Sequence, residues 1–117
     1  VNVVESSIAR DSKFVLPIHC GPEIGVASTK AFLGQMLVLY ILSLKISYMR
    51  KDINKSSYAK KIKTLFSLSD LINKTLETDG KIQSVCNSFV EVKGSMFLGR
   101  GYSYPIALEG ALKLKEL

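Results

Sequence analysis

Histidine and cysteine are nearly absent from this sequence: one histidine, His19, and two cysteines, Cys20 and Cys86, among 117 residues. A disulfide framework or a zinc site needs more of both, so neither is expected, and the usage reads as a reducing, cytoplasmic compartment. His19 has no metal-ligating neighbours and is read as satisfying a backbone group. With no base placed beside them, Cys20 and Cys86 are read as core thiols rather than nucleophiles. Long apolar runs are missing too. The longest lies between Lys30 and Lys45, is 14 residues long and is interrupted by Gly34, Gln35 and Ser43, short of the roughly 20 residues that cross a bilayer. The turn Gly99-Arg100-Gly101 lacks the third glycine of a dinucleotide-binding loop and has no acidic residue at ribose distance, which excludes that site. No metal and no cofactor is implied. The start, VNVVESS, has neither an initiator methionine nor a basic flank before an apolar run, so no secretory signal is visible.

What is present suits a globular domain. Hydrophobic residues make up 47% and charged residues 22%, enough apolar surface to offset ordering entropy, which excludes a disordered tail or linker. Sixteen basic residues against ten acidic ones give a net charge of +6. The excess comes mainly from Lys45, Arg50, Lys51, Lys55, Lys60, Lys61 and Lys63. This reads as a solvated helix surface rather than a nucleic-acid patch, because no aromatics are interleaved there in a stacking pattern.

Periodicity orders the chain. Val1–Val4 and Phe14–Ile18 read as buried strands of a parallel sheet. The glycine- and proline-bearing loop His19–Val26 follows, and Ser28 is placed to cap a helix running from Thr29 to Arg50. Phe32, Met36, Leu37, Leu39, Tyr40, Leu42 and Leu44 wrap most of that helix, so it is expected inside a core or an interface. Beyond the polar KDINKSSYAKK, Ile62, Leu65, Phe66, Leu68, Ile72 and Leu76 predict a linker helix, broken by Gly80. Ile82, Val85, Cys86 and Phe89 predict a second, shorter helix. SMFLG then reads as a strand, GRGYS as a turn, and Pro105 as the first residue of a last helix. Strand, turn and helix are α/β units, whose ligands sit beyond the carboxyl ends of the strands. Three strands make a poor sheet and Leu117 stands in mid-helix without a cap, so further sequence is expected at both ends.

Two clusters carry candidate chemistry. On the last helix, Glu109, Lys113 and Glu116 fall within roughly 60° of one another at about 100° per residue. This charged stripe either faces water or lines a cleft, where a carboxylate base beside a lysine could move a proton at a carbon centre. At the start of the long helix, Ser28, Thr29 and Lys30 beside exposed amides form either an ordinary helix start or a site for an anion or a sugar hydroxyl.

The stretches EIGVASTKAF and RGYSYPIALEGALKLKE resemble the isomerase domain of the glutamine–fructose-6-phosphate aminotransferase (isomerizing) family, the glucosamine-6-phosphate synthases. The resemblance extends over essentially the whole chain. It implies an α/β, three-layer αβα sugar-isomerase (SIS) fold, here partial. Residues 1–50 would end a first SIS subdomain, 51–92 would be a helical connector, and 93–117 would begin a second subdomain. It further implies fructose 6-phosphate as substrate, a separate glutaminase domain supplying ammonia, and conversion of the resulting fructosimine to glucosamine 6-phosphate by proton transfer between C1 and C2. A homo-oligomer is expected, with neither nucleic acid nor membrane as partner.

By motif, Glu116 corresponds to the carboxylate that moves the proton and Lys113 to an active-site lysine. Val26 and Ser28 correspond to contacts with the sugar phosphate, and Glu109 takes a supporting electrostatic role at the substrate. Shielding of Glu116 from water is expected to raise its pKa. The family's serine- and threonine-rich phosphate loop, the histidine-bearing segment after the catalytic helix, the lysine tail and the cysteine glutaminase are all absent, so the chain alone is expected to be inactive. A non-catalytic, phosphosugar-binding regulatory SIS module is the alternative on the same fold.

Overall fold

A computed structural model describes residues 1–117, of which 60% are helical. Six α-helices follow in order: α1 (Ser7–Asp11), α2 (Lys30–Met49), α3 (Lys55–Leu65), α4 (Leu68–Leu76), α5 (Asp79–Cys86) and α6 (Ser103–Glu116), with a 3-10 turn at Asn87–Phe89. No β-strand forms, so the expected three-layer αβα arrangement is not seen in this chain. The physical reason is that a strand exists only by pairing: its backbone donors and acceptors need neighbours on either side. Only a trace of pairing is present. Val1 donates to the Leu16 carbonyl at 3.0 Å, and Ile18 donates back to the Val1 carbonyl at 2.9 Å. Two bonds from one residue, flanking Pro17, are the slanted pattern of a parallel pair. The Asn2 side chain extends the contact, accepting from the Cys20 amide and donating to the Gly21 carbonyl. The first two expected strands thus lie side by side in the parallel sense for a single step. The third, Ser95–Gly99, has no partner.

The second and third of these segments are nonetheless seated on the helices that follow them. In α2 a Cβ at Gly34 would collide with the Cys20 sulfur and sit 3.4 Å from Ile18. In α6 a Cβ at Gly110 would come within 2.9 Å of the Phe97 ring. Both glycines are close-approach positions, where a missing side chain lets the preceding segment lie on the helix. The chain therefore holds two segment–turn–helix units, 14–49 and 95–116, and no sheet.

The α2 helix matches its expected span to within one residue at each end. At 20 residues it is about 30 Å long, because it continues through Lys45, where the apolar run stops. By length and composition it could cross a membrane, a test that core helices of soluble proteins also pass. Only Ala31 and Leu44 of α2 are buried, while Leu39 is 63% and Met49 69% exposed. The covering expected for this helix is not supplied by residues 1–117. Arg50–Asn54 turns the chain into α3, with Lys51 at a φ of 64° and the Asn54 carboxamide accepting from the Ser57 amide at 2.8 Å. Tyr48 stacks on Tyr58 with ring centroids 4.9 Å apart. The basic α2–α3 corner therefore spends its two aromatics on each other.

The connector departs from expectation in two places. The helix expected through Ile62–Leu76 breaks at Phe66–Ser67, and Gly80 lies inside α5 rather than ending a helix. Hydroxyl residues stand at both helix ends, Phe66–Ser67 and Glu77–Thr78. Thr64 and Ser67 donate to the carbonyls of Lys60 and Thr64, and Thr75 and Thr78 to those of Leu71 and Thr75. Such side chains compete for the carbonyls that carry a helix onward.

The whole is open. Ala9, Ala31 and Leu44 are the only buried residues. The radius of gyration is 17.8 Å, against about 13 Å for a compact chain of this length. The accessible surface is 10199 Å², against roughly 6300 Å² for a compact protein of this mass. Cys86, expected in a core, is exposed, and Cys20 is half-buried.

Candidate functional site

The loop before α2 is closed by a glutamate rather than by the expected serine. Thr29 is the residue at the helix cap, and its own side chain makes no capping bond. Ser28, expected to cap, instead donates its hydroxyl to Glu23 Oε2 at 3.2 Å. Glu23 Oε1 accepts from the Thr29 amide at 2.7 Å and from the Thr29 hydroxyl at 3.2 Å. A carboxylate at the positive end of a helix is well placed, since the first amides have no partner within the helix. The Thr29 amide bond is the main cause that holds the Glu23 carboxyl below its ordinary 4.5; burial opposes it, and the bonds from the Thr29 and Ser28 hydroxyls and the Ala31 amide add smaller lowering contributions. From the other side, Lys30 Nζ donates to the Pro22 carbonyl at 2.6 Å. Val26, between these fastenings, is 81% exposed. His19 makes no hydrogen bond and sits at a φ of 51°, so the backbone role expected for it is not found.

The second cluster lies on α6. Pro105 stands in its first turn, where a missing amide proton costs no hydrogen bond. The helix itself begins two residues before Pro105, at Ser103. The predicted stripe is formed by direct contacts. Lys113 Nζ lies 2.7 Å from Glu109 Oε1 and 3.6 Å from Glu116 Oε2, the spacings i,i+4 and i,i+3. Side chains of Glu109 and Lys113 are each 23% exposed, and that of Glu116 is 31%. The bond to Glu109 is the main cause that raises the Lys113 ammonium above its ordinary 10.5, with the charges of Glu109 and Glu116 adding to it and burial opposing. The Glu116 side chain, near the helix end, is the least covered of the three.

The two clusters are thus each assembled locally, and no hydrogen bond or ion pair joins one to the other. Glu23 is the member that sequence reasoning missed. Capping rules inspect the cap residue and the one three positions on, whereas Glu23 reaches forward over six positions.

The signs of the two shifts define a pH window. Glu23, held low, contributes its bonds fully above pH 4.5 and loses them as pH falls through its depressed value. Lys113, held high, contributes fully below pH 10.5 and loses its pairing as pH rises through its raised value. Between these limits Glu23 and Lys113 both keep their charges. The Thr29 amide resonance followed by NMR is expected to titrate with a midpoint below 4.5; a midpoint at or above that value would remove the carboxylate cap.

Homology first fixes the class: the relatives are isomerizing aminotransferases. The chain is 46% identical over 117 residues to glutamine–fructose-6-phosphate aminotransferase [isomerizing] of Bartonella quintana, with all of the chain and 19% of the relative covered. The enzyme of the same name from Bartonella henselae is 48% identical over the same 117 residues, 19% of its length. That of Aquifex aeolicus is 44% identical over 117 residues, 18% of its length. No family model matches. End to end, then, the chain matches a segment of glutamine–fructose-6-phosphate aminotransferase, and it spans about a fifth of the length of the curated relatives.

Proposed function

We propose that the chain is a segment of the sugar-isomerase domain of a cytoplasmic, oligomeric enzyme that converts fructose 6-phosphate and glutamine-derived ammonia to glucosamine 6-phosphate. Residues 1–50 close a first SIS subdomain, 51–92 form its helical connector and 93–117 open a second. The two segment–turn–helix units support this division, because each would place its turn at a strand end once neighbouring strands are supplied. In the complete protein α2 is an interior helix, and the apolar faces left open here are covered by the rest of the polypeptide. A glutaminase domain supplies the ammonia.

The observation that carries the chemical reading is the shared lysine of α6. Lys113 bridges Glu109 and Glu116, and that bridge supports the roles the resemblance implies. Glu109, the nearer partner, fixes the ammonium. Lys113 keeps donors free for a substrate oxygen and holds the carboxylate of Glu116 beside it. Glu116 carries the proton between C1 and C2 of the bound fructosimine, a step that needs one carboxylate within reach of both carbons. Val26 and Ser28 contact the phosphosugar at the start of α2.

The test is Lys113→Met in the full-length enzyme, which keeps the side chain's length and removes its charge. Turnover of fructose 6-phosphate is expected to fall by about 10²-fold, the scale of losing one preorganised donor at a reacting oxygen. Turnover within a few-fold of wild type would refute the α6 cluster as catalytic. A complete protein that binds fructose 6-phosphate without turning it over would instead be a regulatory module.

A further inference from the structure

We propose that the corner between α2 and α3 is a docking surface for an acidic segment of a partner protein, which seats an apolar side chain between its carboxylates. The proposal is independent of the phosphosugar reading, since none of its residues belongs to the two clusters described above.

The net charge of the chain is not spread over it. Residues 45–63 hold seven of the sixteen lysines and arginines and a single carboxylate, Asp52, while outside them nine cations stand against nine carboxylates. The whole excess of +6 therefore sits at one corner. All seven cations are exposed, and only Arg50 has an ion-pair partner, Asp52 at 3.3 Å. Like charges gathered this closely repel one another, and a surface of opposite sign relieves the repulsion and steers its own approach.

The cations frame an apolar groove, lined by Tyr48, Lys55, Tyr58, Ile62, Lys63 and Phe66. At about 100° per residue, Tyr58, Ile62 and Phe66 form a stripe roughly 80° wide along α3. Lys55 falls within that stripe and Lys63 at its edge. The stacked rings of Tyr48 and Tyr58 hold one part of the groove in place, and Phe66, at the end of α3, is 82% exposed. An apolar side chain of a partner fits against Ile62 and Phe66, with ammonium groups beside it to meet neighbouring carboxylates.

The same features select among the acidic occupants. Single-stranded nucleic acid is held by phosphate contacts together with aromatic faces on which bases stack, and here the two tyrosines stack on each other. A helix lying in a bilayer surface needs an uncharged apolar face about 100° wide or more, and Lys55 interrupts this one. A second copy of the chain brings the same +6 to a two-fold contact and is repelled. The rest of the enzyme is a poor cover as well: α3 contributes no buried residue, and burying its unpaired ammonium groups is costly. What fits is a separate polypeptide carrying carboxylates around an apolar residue.

The probe is a fluorescein-labelled peptide with a central phenylalanine flanked on both sides by glutamates, titrated onto the full-length enzyme. Saturable binding is expected at low ionic strength, weakened about tenfold or more at roughly 1 M salt, where the Debye length is about 3 Å. Lys55→Glu/Lys63→Glu is expected to weaken it about tenfold, because two attractions become repulsions, and Phe66→Ala about fivefold through lost apolar contact. Lys74→Glu/Lys81→Glu, outside the corner, is expected to leave it unchanged. Turnover of fructose 6-phosphate is expected to stay at the wild-type rate in all three variants.

No binding at low ionic strength overturns the proposal and leaves the proposed function standing. Binding that Lys55→Glu/Lys63→Glu leaves intact, or that Lys74→Glu/Lys81→Glu weakens equally, overturns it too. So does equal affinity for the peptide with glutamines in place of glutamates, which removes the charge argument, or for polyglutamate, which removes the groove. Tighter binding of single-stranded DNA or of phosphatidylserine vesicles, lost in the same double variant, replaces the protein partner by a nucleic acid or a membrane. If circular dichroism shows that Lys55→Glu/Lys63→Glu does not fold, Lys60→Glu/Lys61→Glu decides by the same criterion.

Discussion

Heated alone, the 117-residue chain is expected to lose its helical circular dichroism gradually over a wide range of temperature, and saturating fructose 6-phosphate is expected to leave that curve in place. Cooperative melting needs a shared core whose loss is all-or-none. Here three residues are buried, and apolar side chains such as Leu39, Met49, Phe66 and Leu98 stand largely in water. The surface exceeds that of a compact protein by roughly 3900 Å². The helices are held by local bonds and caps, which open independently. A ligand that bound the folded chain at a hundredfold excess over its dissociation constant would stabilise it by about 2.7 kcal/mol. A sharp transition raised by the sugar phosphate would show that these residues form a self-sufficient phosphosugar site, and the proposed dependence on the rest of the enzyme would fall. No turnover of fructose 6-phosphate and ammonia is expected from the chain alone.

In the full-length enzyme, Glu116→Gln is expected to lower kcat for glucosamine 6-phosphate formation by about 10²- to 10⁴-fold, the range general acid–base groups supply. Affinity for fructose 6-phosphate is expected to stay near wild type. The amide has nearly the shape of the carboxylate and keeps an oxygen toward Lys113, but it cannot take a proton from carbon. Its effect thus falls on the transition state and spares ground-state binding. A loss confined to KM would make Glu116 a binding group, and unchanged turnover would remove it from the reaction. Exchange of the C1 or C2 proton with solvent deuterium, lost with turnover in the variant, reports the same step directly.

Several elements were legible because their causes are local. The span of α2 follows from apolar residues that recur between Thr29 and Arg50, and the α6 stripe follows from residues spaced by three and four. The Glu109–Lys113–Glu116 contacts then needed only the helix. The connector was less legible because its helices end at Phe66–Ser67 and Glu77–Thr78, and not at Gly80. Ser67 and Thr78 there donate to a carbonyl three residues back, as Ser43 does inside the unbroken α2, and apolar periodicity records none of these bonds.

The cap of α2 failed for a related reason. Ser28 is the right residue type in nearly the right place, yet its hydroxyl donates to Glu23, and that carboxylate takes the Thr29 amide from six positions upstream. A charged acceptor makes the stronger bond, and the loop His19–Val26 is compact enough to deliver it. The strands failed differently. Val1–Val4 and Phe14–Ile18 have the composition of buried strands, and Val1 does meet Leu16 and Ile18 in the parallel sense. Composition sets the preference, but pairing requires a neighbour along the whole edge.

By itself the sequence determined the kinship, the helices α2 and α6, and the charged stripe on α6, because each depends on residue identity and on spacings within a few turns. Tertiary structure alone decided that Glu23 closes the loop before α2, that Gly34 and Gly110 seat the segments preceding their helices, and that the expected strands stay unpaired. Those outcomes turn on which groups meet across longer separations. Such meetings are settled by competition among partners in space, and local periodicity carries no record of it.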